Sequence, residues 1–425
     1  MSEFNRSFVN LYDLLICITN AEDLVSPELR FHHQKAAYLA YRIAERMGIP
    51  ERGRKNLMLA GLLHDIGALS TNERLELLEN EPPTANSHAF RGAQLLEGFL
   101  PLSPAAEIIR YHHLPWNHGE GKAYMGREVS VLSHILHLAD RACVLVDPRE
   151  NALGQAQRIR ETILAKKGSA FAPGPVEAFM ELSGEEYVWL DIAYGPLLYI
   201  LPEVVQFDTV EMDMEQTVGL TSIFSKIIDY RSPFTAAHSA GVAAVAEKLA
   251  ELAGFSGDEC KMMRVAGNLH DLGKIAVRSA VLEKQDRLNA QEFNEIRSHT
   301  FYTFRLLQAI KGFETINKWA SFHHEKLNGK GYPFHLRDNE IPLGSRIMAV
   351  ADIFTAITED RAYRKGMPPE QTARVLLELS EDGSVCPYVV SLVLEHFDML
   401  NALRMRVQAE AGLDYKKTVA PIPEG

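Results

Sequence analysis

Cysteine is scarce in this sequence: Cys17, Cys143, Cys260 and Cys386 stand singly among 425 residues, with no CxxC pair. That argues against a disulfide framework or a zinc ribbon and fits a reducing compartment. Basic charge is also short. The 44 Lys and Arg face 56 Asp and Glu, and the net charge of −12 disfavours a DNA or RNA polymer as partner. A small anionic substrate stays open, because bound metal cations override the average charge locally. No uninterrupted apolar run approaches about eighteen residues, so no membrane span is expected. The opening MSEFNRSFVNLYDLL lacks the basic and apolar regions of a secretory leader, and the expected location is the cytoplasm. Alternating strand patterns with hairpin turns are nearly absent, as are coiled-coil heptads. What remains is ordinary globular composition, 46% apolar and 24% charged, long enough for two or three domains.

The chain carries one unit written twice. An offset of 206 residues brings His32 onto His238, Gly48 onto Gly254, and His64-Asp65 onto His270-Asp271. The offset drifts to 211 at His88 and His299 and at the pairs His112-His113 and His323-His324, and to 212 at Asp140 and Asp352. Surface loops tolerate such drift. The flanking residues agree too: LMLAGLLHDIGAL resembles MMRVAGNLHDLGKI, and FAPGPVEAFMEL resembles VCPYVVSLVLEHF. A period near 200 is too long for a solenoid and indicates a duplicated domain. The expected domains are 1–208 and 209–425, with Asp208–Glu215 as an acidic linker face.

Both units read as helical. After His238, Val242, Val245, Leu249 and Leu252 share one face; after His32, Leu39, Ile43 and Met47 do so. The segments LMLAGLLHDIG and RVAGNLHDLG read as helices that end at the glycine, with His-Asp in the last turn. Each unit is expected to be a helical bundle with polar loops at HHLPWNHGEG and HHEKLNGKGYPF.

Ten of the sixteen histidines fall at the repeated positions. Imidazole with carboxylate suits Fe, Mn, Ni or Zn. Five His and two Asp per unit are too many for one tetrahedral zinc, and they suit two ions sharing a carboxylate. Such a pair can hold a hydroxide of lowered pKa and neutralise phosphate oxygens, which favours phosphodiester hydrolysis. Lys274, four residues after His270, is placed to stabilise developing negative charge.

The C-terminal unit resembles the HD-GYP phosphodiesterases, a branch of the HD metal-dependent phosphohydrolases. The resemblance rests on HS at 238–239, HDLGK at 270–274, SHTFYTF from Ser298, HHEKLNGKGYP at 323–333 and IPLGSRIMAVADIFTAITEDRAYR at 341–364. It implies an all-α fold of two tandem HD bundles, the second of HD-GYP type. It implies hydrolysis of cyclic di-GMP to pGpG or GMP, with the mixed cyclic GMP-AMP dinucleotide as the close alternative. A non-catalytic nucleotide- and metal-binding signalling module is the reading of a different class. The implied cofactor is two divalent ions, Fe or Mn with Ni also admitted. His238, His270 and Asp352 would hold one ion; His299, His323 and His324 would hold the other; Asp271 would bridge. Asp271 and Lys274 are the expected catalytic residues. Gly331, Tyr332 and Pro333 would shape the substrate loop, and Arg361 and Arg364 would meet phosphate.

Two positions depart from the family pattern. Members with a third metal carry Glu where this chain has Phe234, so two ions are expected in the C-terminal unit. Thr355 stands where Asp is frequent. The N-terminal unit resembles a plain HD domain. It keeps His32, His64, Asp65, His88, His112, His113 and Asp140 as a second candidate metal site. It has Ala68 in place of the lysine and lacks GYP. Its expected role is regulatory or structural. A homodimer or a signalling partner is left open.

Overall fold

The computed structural model describes residues 9–24, 31–79, 85–194, 197, 210–232, 235–284, 286–360 and 365–420. The architecture is all-α. Among the described residues the only strand pairs are two-residue ribbons, Val9–Asn10 against Glu211–Met212 and Ala123–Tyr124 against Arg127–Glu128. No described helix is long and apolar enough to cross a membrane.

The chain divides into two compact units. One joins Ser26–Asp208 to Thr418–Gly425, and the other joins Met1–Val25 to Thr209–Lys417. This differs from the expected domains 1–208 and 209–425 at the leading segment. Strand Val9–Asn10 pairs with Glu211–Met212, and Leu11 N–H donates to Val210 O at 2.9 Å. Helix Leu11–Asp23 then buries Leu14, Leu15 and Ile18 as it packs against Leu272–Ala276 and helix His299–Gln308. The acidic stretch after residue 209 is therefore structural. Glu211–Met212 is a strand, and Asp213 caps helix Met214–Asp229 through a capping box with Gln216.

Each unit is built on the same helices. His32–Arg46, Glu51–Leu63, Ser103–Arg110 and Val131–Val144 correspond to His238–Leu252, Gly257–Leu269, Glu314–Ser321 and Leu343–Thr358. The close approach of His32–Arg46 to Glu51–Leu63, and of His238–Leu252 to Gly257–Leu269, has one cause. A Cβ at Gly61 or Gly267 would lie 2.5 Å from the Cα of Ala37 or Ala243, so glycine on one helix faces alanine on the other. Helices His32–Arg46 and His238–Leu252 stop where a glycine takes positive φ, Gly48 at 69° and Gly254 at 86°.

The glycines of HDIG and HDLG act differently from expectation. The helices end earlier, at Leu63 and Leu269, with His64 and His270 as the C-cap residues. Gly67 and Gly273 are needed because a Cβ there would sit 2.1 Å from His88 O and 2.0 Å from His299 O. The turn after His-Asp is thus pressed against the helix turn that carries the next histidine.

Candidate metal and active centre

In the C-terminal unit the donors come from the helix ends and one helix middle. His238 and His299 open their helices, His270 ends one, and His323-His324 follow Glu314–Ser321. Asp352 lies within Leu343–Thr358. All seven predicted ligands meet. Donor atoms of His238, His270 and Asp352 lie within 4.8 Å of one another, as do those of His299, His323 and His324, and of His270, Asp271 and His323. His238 Nε2 is 3.1 Å from Asp352 Oδ1, His270 Nε2 is 3.2 Å from Asp271 Oδ2, and His299 Nε2 is 3.3 Å from Asp271 Oδ1. Asp271 therefore faces both halves of the cluster.

The rings are oriented from behind. His270 Nδ1 bonds Gly267 O at 2.8 Å, His299 Nδ1 bonds Ile296 O at 2.6 Å, and His323 Nδ1 bonds Ala320 O at 2.6 Å. Each Nε2 is left to face the centre, the arrangement metal-ligating histidines adopt. His270 Nε2 and Asp271 Oδ1 are buried without hydrogen-bond partners, which costs stability unless something else satisfies them. A cation fits that requirement, and this donor set suits a borderline transition metal.

At His299, His323 and His324 the local electrostatics favour the same outcome. Burial and neighbouring histidines hold His323 and His324 below the usual imidazole range, and burial takes His299 down to about 3. These three rings are neutral at pH 7, the state a metal requires. Burial opposes charge on Asp271, but His270 and Lys274 more than offset it and keep it a carboxylate. Lys274 reaches the cluster as expected, with Nζ 2.5 Å from Asp271 Oδ2.

The GYP loop is fastened by the glutamate of its own HHEKLNGKGYP motif, to which the sequence assigned no role. Buried Glu325 accepts Phe334 N–H at 2.7 Å and Leu336 N–H at 3.0 Å. A Cβ at Gly331 would sit 2.4 Å from Glu325 Cα, so the loop lies flat on its anchor. Tyr332 N–H donates to His324 O at 3.2 Å, and the two rings lie 5.0 Å apart. Pro333 follows in the same loop. Arg361, Arg364 and Phe234 lie outside the described residues. Thr355 is fully buried.

Three further groups escaped sequence reading. Glu359 Oε2 is 3.1 Å from His238 Nδ1 and accepts Gln408 Nε2 at 2.8 Å, and Arg404 bonds Gln408 in turn. Against the effect of burial, Glu359 and Asp352 lift His238 to about 10. Glu359 falls seven residues after Asp352, two helical turns on, and that spacing was a usable signal. Buried Arg231 donates to Lys274 O at 2.8 Å and Ile275 O at 2.7 Å, fixing the turn that carries Lys274. Buried Asp229 accepts Ser239 N–H at 3.0 Å and Oγ–H at 2.7 Å beside His238.

The N-terminal unit repeats the arrangement. Donors of His32, His64 and Asp140 form one group, and those of Asp65, His88, His112 and His113 form another. His32 Nε2 is 3.1 Å from Asp140 Oδ1 and His88 Nε2 is 3.2 Å from Asp65 Oδ1. His64 Nδ1 and His112 Nδ1 bond Gly61 O and Ile109 O at 2.8 and 2.7 Å. The Nε2 atoms of His64, His88 and His112 are buried without hydrogen-bond partners. Two differences stand out. All seven donors are buried here, whereas His324 and Asp352 are half-buried. Ala68 stands where the other unit has Lys274; His33 approaches Asp65 Oδ2 at 3.8 Å, and Arg141 holds Asp140 Oδ2 at 3.1 Å. Of the other histidines, His134 bonds Gly121 O and His137 packs between His113 and Phe171.

Known proteins agree with this geometry. HD-domain family models match residues 30–144 and 222–385. The 3'3'-cGAMP-specific phosphodiesterase 1 of Vibrio cholerae is 30% identical over 398 residues, covering 91% of this chain and 92% of that protein. The cyclic di-GMP phosphodiesterase response regulator RpfG of Xanthomonas campestris is 36% identical over 146 residues, 34% of this chain and 39% of its own. A crystal structure of a cyclic GMP-AMP-specific phosphodiesterase from V. cholerae shares the fold, with TM-score 0.62 at 23% identity over 94% of this chain and 98% of its own. The chain thus carries two all-α HD domains in tandem and belongs to the HD-GYP-type cyclic-dinucleotide phosphodiesterases, which are metal-dependent phosphohydrolases.

Proposed function

We propose that the C-terminal centre hydrolyses the mixed 3'3'-cyclic GMP-AMP dinucleotide with two divalent ions, Fe or Mn. His238, His270 and Asp352 would hold one ion and His299, His323 and His324 the other, with Asp271 available to both. The observation that carries this reading is the meeting of seven donors in three overlapping groups, with Asp271 in the middle group and Lys274 against it, in a centre that stays partly open at His324 and Asp352. Such a metal pair, when bound, supplies a nucleophile at neutral pH and neutralises phosphate charge. The chain's own part is positional. Lys274 offers an ammonium to the charge that develops on phosphate, and the Glu325-anchored loop sets Tyr332 at the substrate side.

The choice of substrate is supported by the relative that covers nearly the whole chain. Cyclic di-GMP, converted to pGpG or GMP, is the second reading. It is supported by RpfG, which matches over 146 residues. For the N-terminal unit we propose metal binding without turnover, in a structural or regulatory role, because its centre is buried and lacks both the lysine and the loop. The cytoplasm is the proposed setting.

The test is anaerobic incubation of purified protein and Mn(II) or Fe(II) with each dinucleotide. Turnover of the mixed dinucleotide at the higher kcat/KM is expected, and Asp271→Ala or His270→Ala should abolish it in a folded protein. No turnover of either dinucleotide with either metal would leave a binding module as the reading.

A further inference from the structure

The helix Ala290–Arg297 buries no residue at all. A capping box closes its first turn, with Asn289 and Glu292 exchanging hydrogen bonds, and two ion pairs tie it to the preceding segment. Glu292 meets Lys284 at 2.7 Å, and Glu295 meets Arg278 at 2.7 Å. Those contacts occupy one side of the helix. Phe293 is 45% exposed, and its ring meets Tyr332 edge-on with centroids 6.5 Å apart. Arg297, one turn further along the same helix, is also exposed. Tyr332 in turn leans on the ligand His324, with ring centroids 5.0 Å apart. An aromatic surface thus runs from the metal centre through Tyr332 to Phe293, with a guanidinium beside it.

A single exposed Phe needs no explanation. Two aromatic rings and a cation that continue outward from a phosphate-directed centre do, because that is the composition of a base-stacking platform. We infer that Phe293, braced edge-on by Tyr332 and with Arg297 beside it, forms a wall on which one purine base of the dinucleotide stacks while its phosphate lies at the C-terminal centre. The N-terminal unit is consistent with this: Pro82 and Asn86 occupy the positions aligned with Phe293 and Arg297. The wall requires only that a nucleotide phosphate binds at this centre, and so rests on that part of the proposed function.

The experiment compares two probes, GMP and inorganic phosphate, binding to Mn(II)-loaded full-length protein by calorimetry. Phe293→Ala is expected to weaken GMP about tenfold, the scale of one lost base–aromatic stack. Phosphate affinity should not change, and Phe293→Trp should restore GMP binding. On the cyclic dinucleotide, Phe293→Ala should raise KM by a similar factor with little change in kcat. GMP affinity equal to wild type in Phe293→Ala, or an equal loss of GMP and phosphate, would overturn the inference. If the wild-type protein cleaves no cyclic dinucleotide, the proposed function fails, but the GMP and phosphate comparison still decides the wall.

Discussion

Asp271 receives His270 and Lys274 on one oxygen and faces His299 with the other. Lys274 can serve the reacting phosphate or merely brace this carboxylate, and the two roles separate on substitution. Lys274→Met is expected to lower kcat by roughly 10²–10³-fold with metal content retained, as for loss of one charge-stabilising donor. Kinetics paired with metal analysis checks it, and metal lost in step with activity would point to bracing alone. Glu359 acts one shell further out, since it touches His238 and no reacting group. Glu359→Ala should weaken metal binding by about 10–100-fold, the usual effect of removing a carboxylate behind a ligating histidine. Titrating metal-free protein with Mn(II) measures this, and an unchanged affinity would count against the role.

Among the elements, the turn after each His-Asp pair carries the tightest contact. Gly273→Ala forces a Cβ to 2.0 Å from His299 O and is expected to cost about 3 kcal/mol, seen as a lower urea midpoint. Gly254→Ala, strained only by positive φ, should cost about 1 kcal/mol. If the two variants unfold at the same midpoint, the close approach is not what fixes Gly273. These turns also mark how far the sequence could be read. Ligands and glycines stood out because each sits at a helix end whose spacing the duplication preserved. The braces behind them did not. Arg231, which precedes its HD turn, bonds Lys274 O, while Arg74, which follows its own, bonds Ala68 O at 2.8 Å. The same task is done from opposite directions along the chain, so no alignment column contains it. The partnership of Val9–Asn10 with Glu211–Met212 was equally hidden, since two-residue strands carry no periodicity.

For the molecule as a whole, duplication produced two centres with different access. If both are loaded, metal analysis of anaerobic protein should approach about four ions per chain, with Asp65→Ala removing about two. Two ions in wild type and no change in Asp65→Ala would rule out the N-terminal centre. Chelation should lower stability by on the order of 4 kcal/mol for a site loaded at about 1,000 times its Kd, read as a drop in Tm. That readout does not depend on turnover, so it also reports on a centre with no activity.

The leading helix Leu11–Asp23 gives the C-terminal unit an unusual birth order. Its apolar face packs on Leu272–Ala276 and on helix His299–Gln308, which are synthesised long after it. At about 5–20 residues per second, roughly 10–50 s separate the emergence of this helix from that of its partners. The helices of Ser26–Asp208 all emerge within that interval, so they can already be packed together while Leu14, Leu15 and Ile18 still lack their final cover. A fragment beginning at residue 209 holds every ligand of the C-terminal centre but omits this helix, and is expected to aggregate or melt below the intact protein.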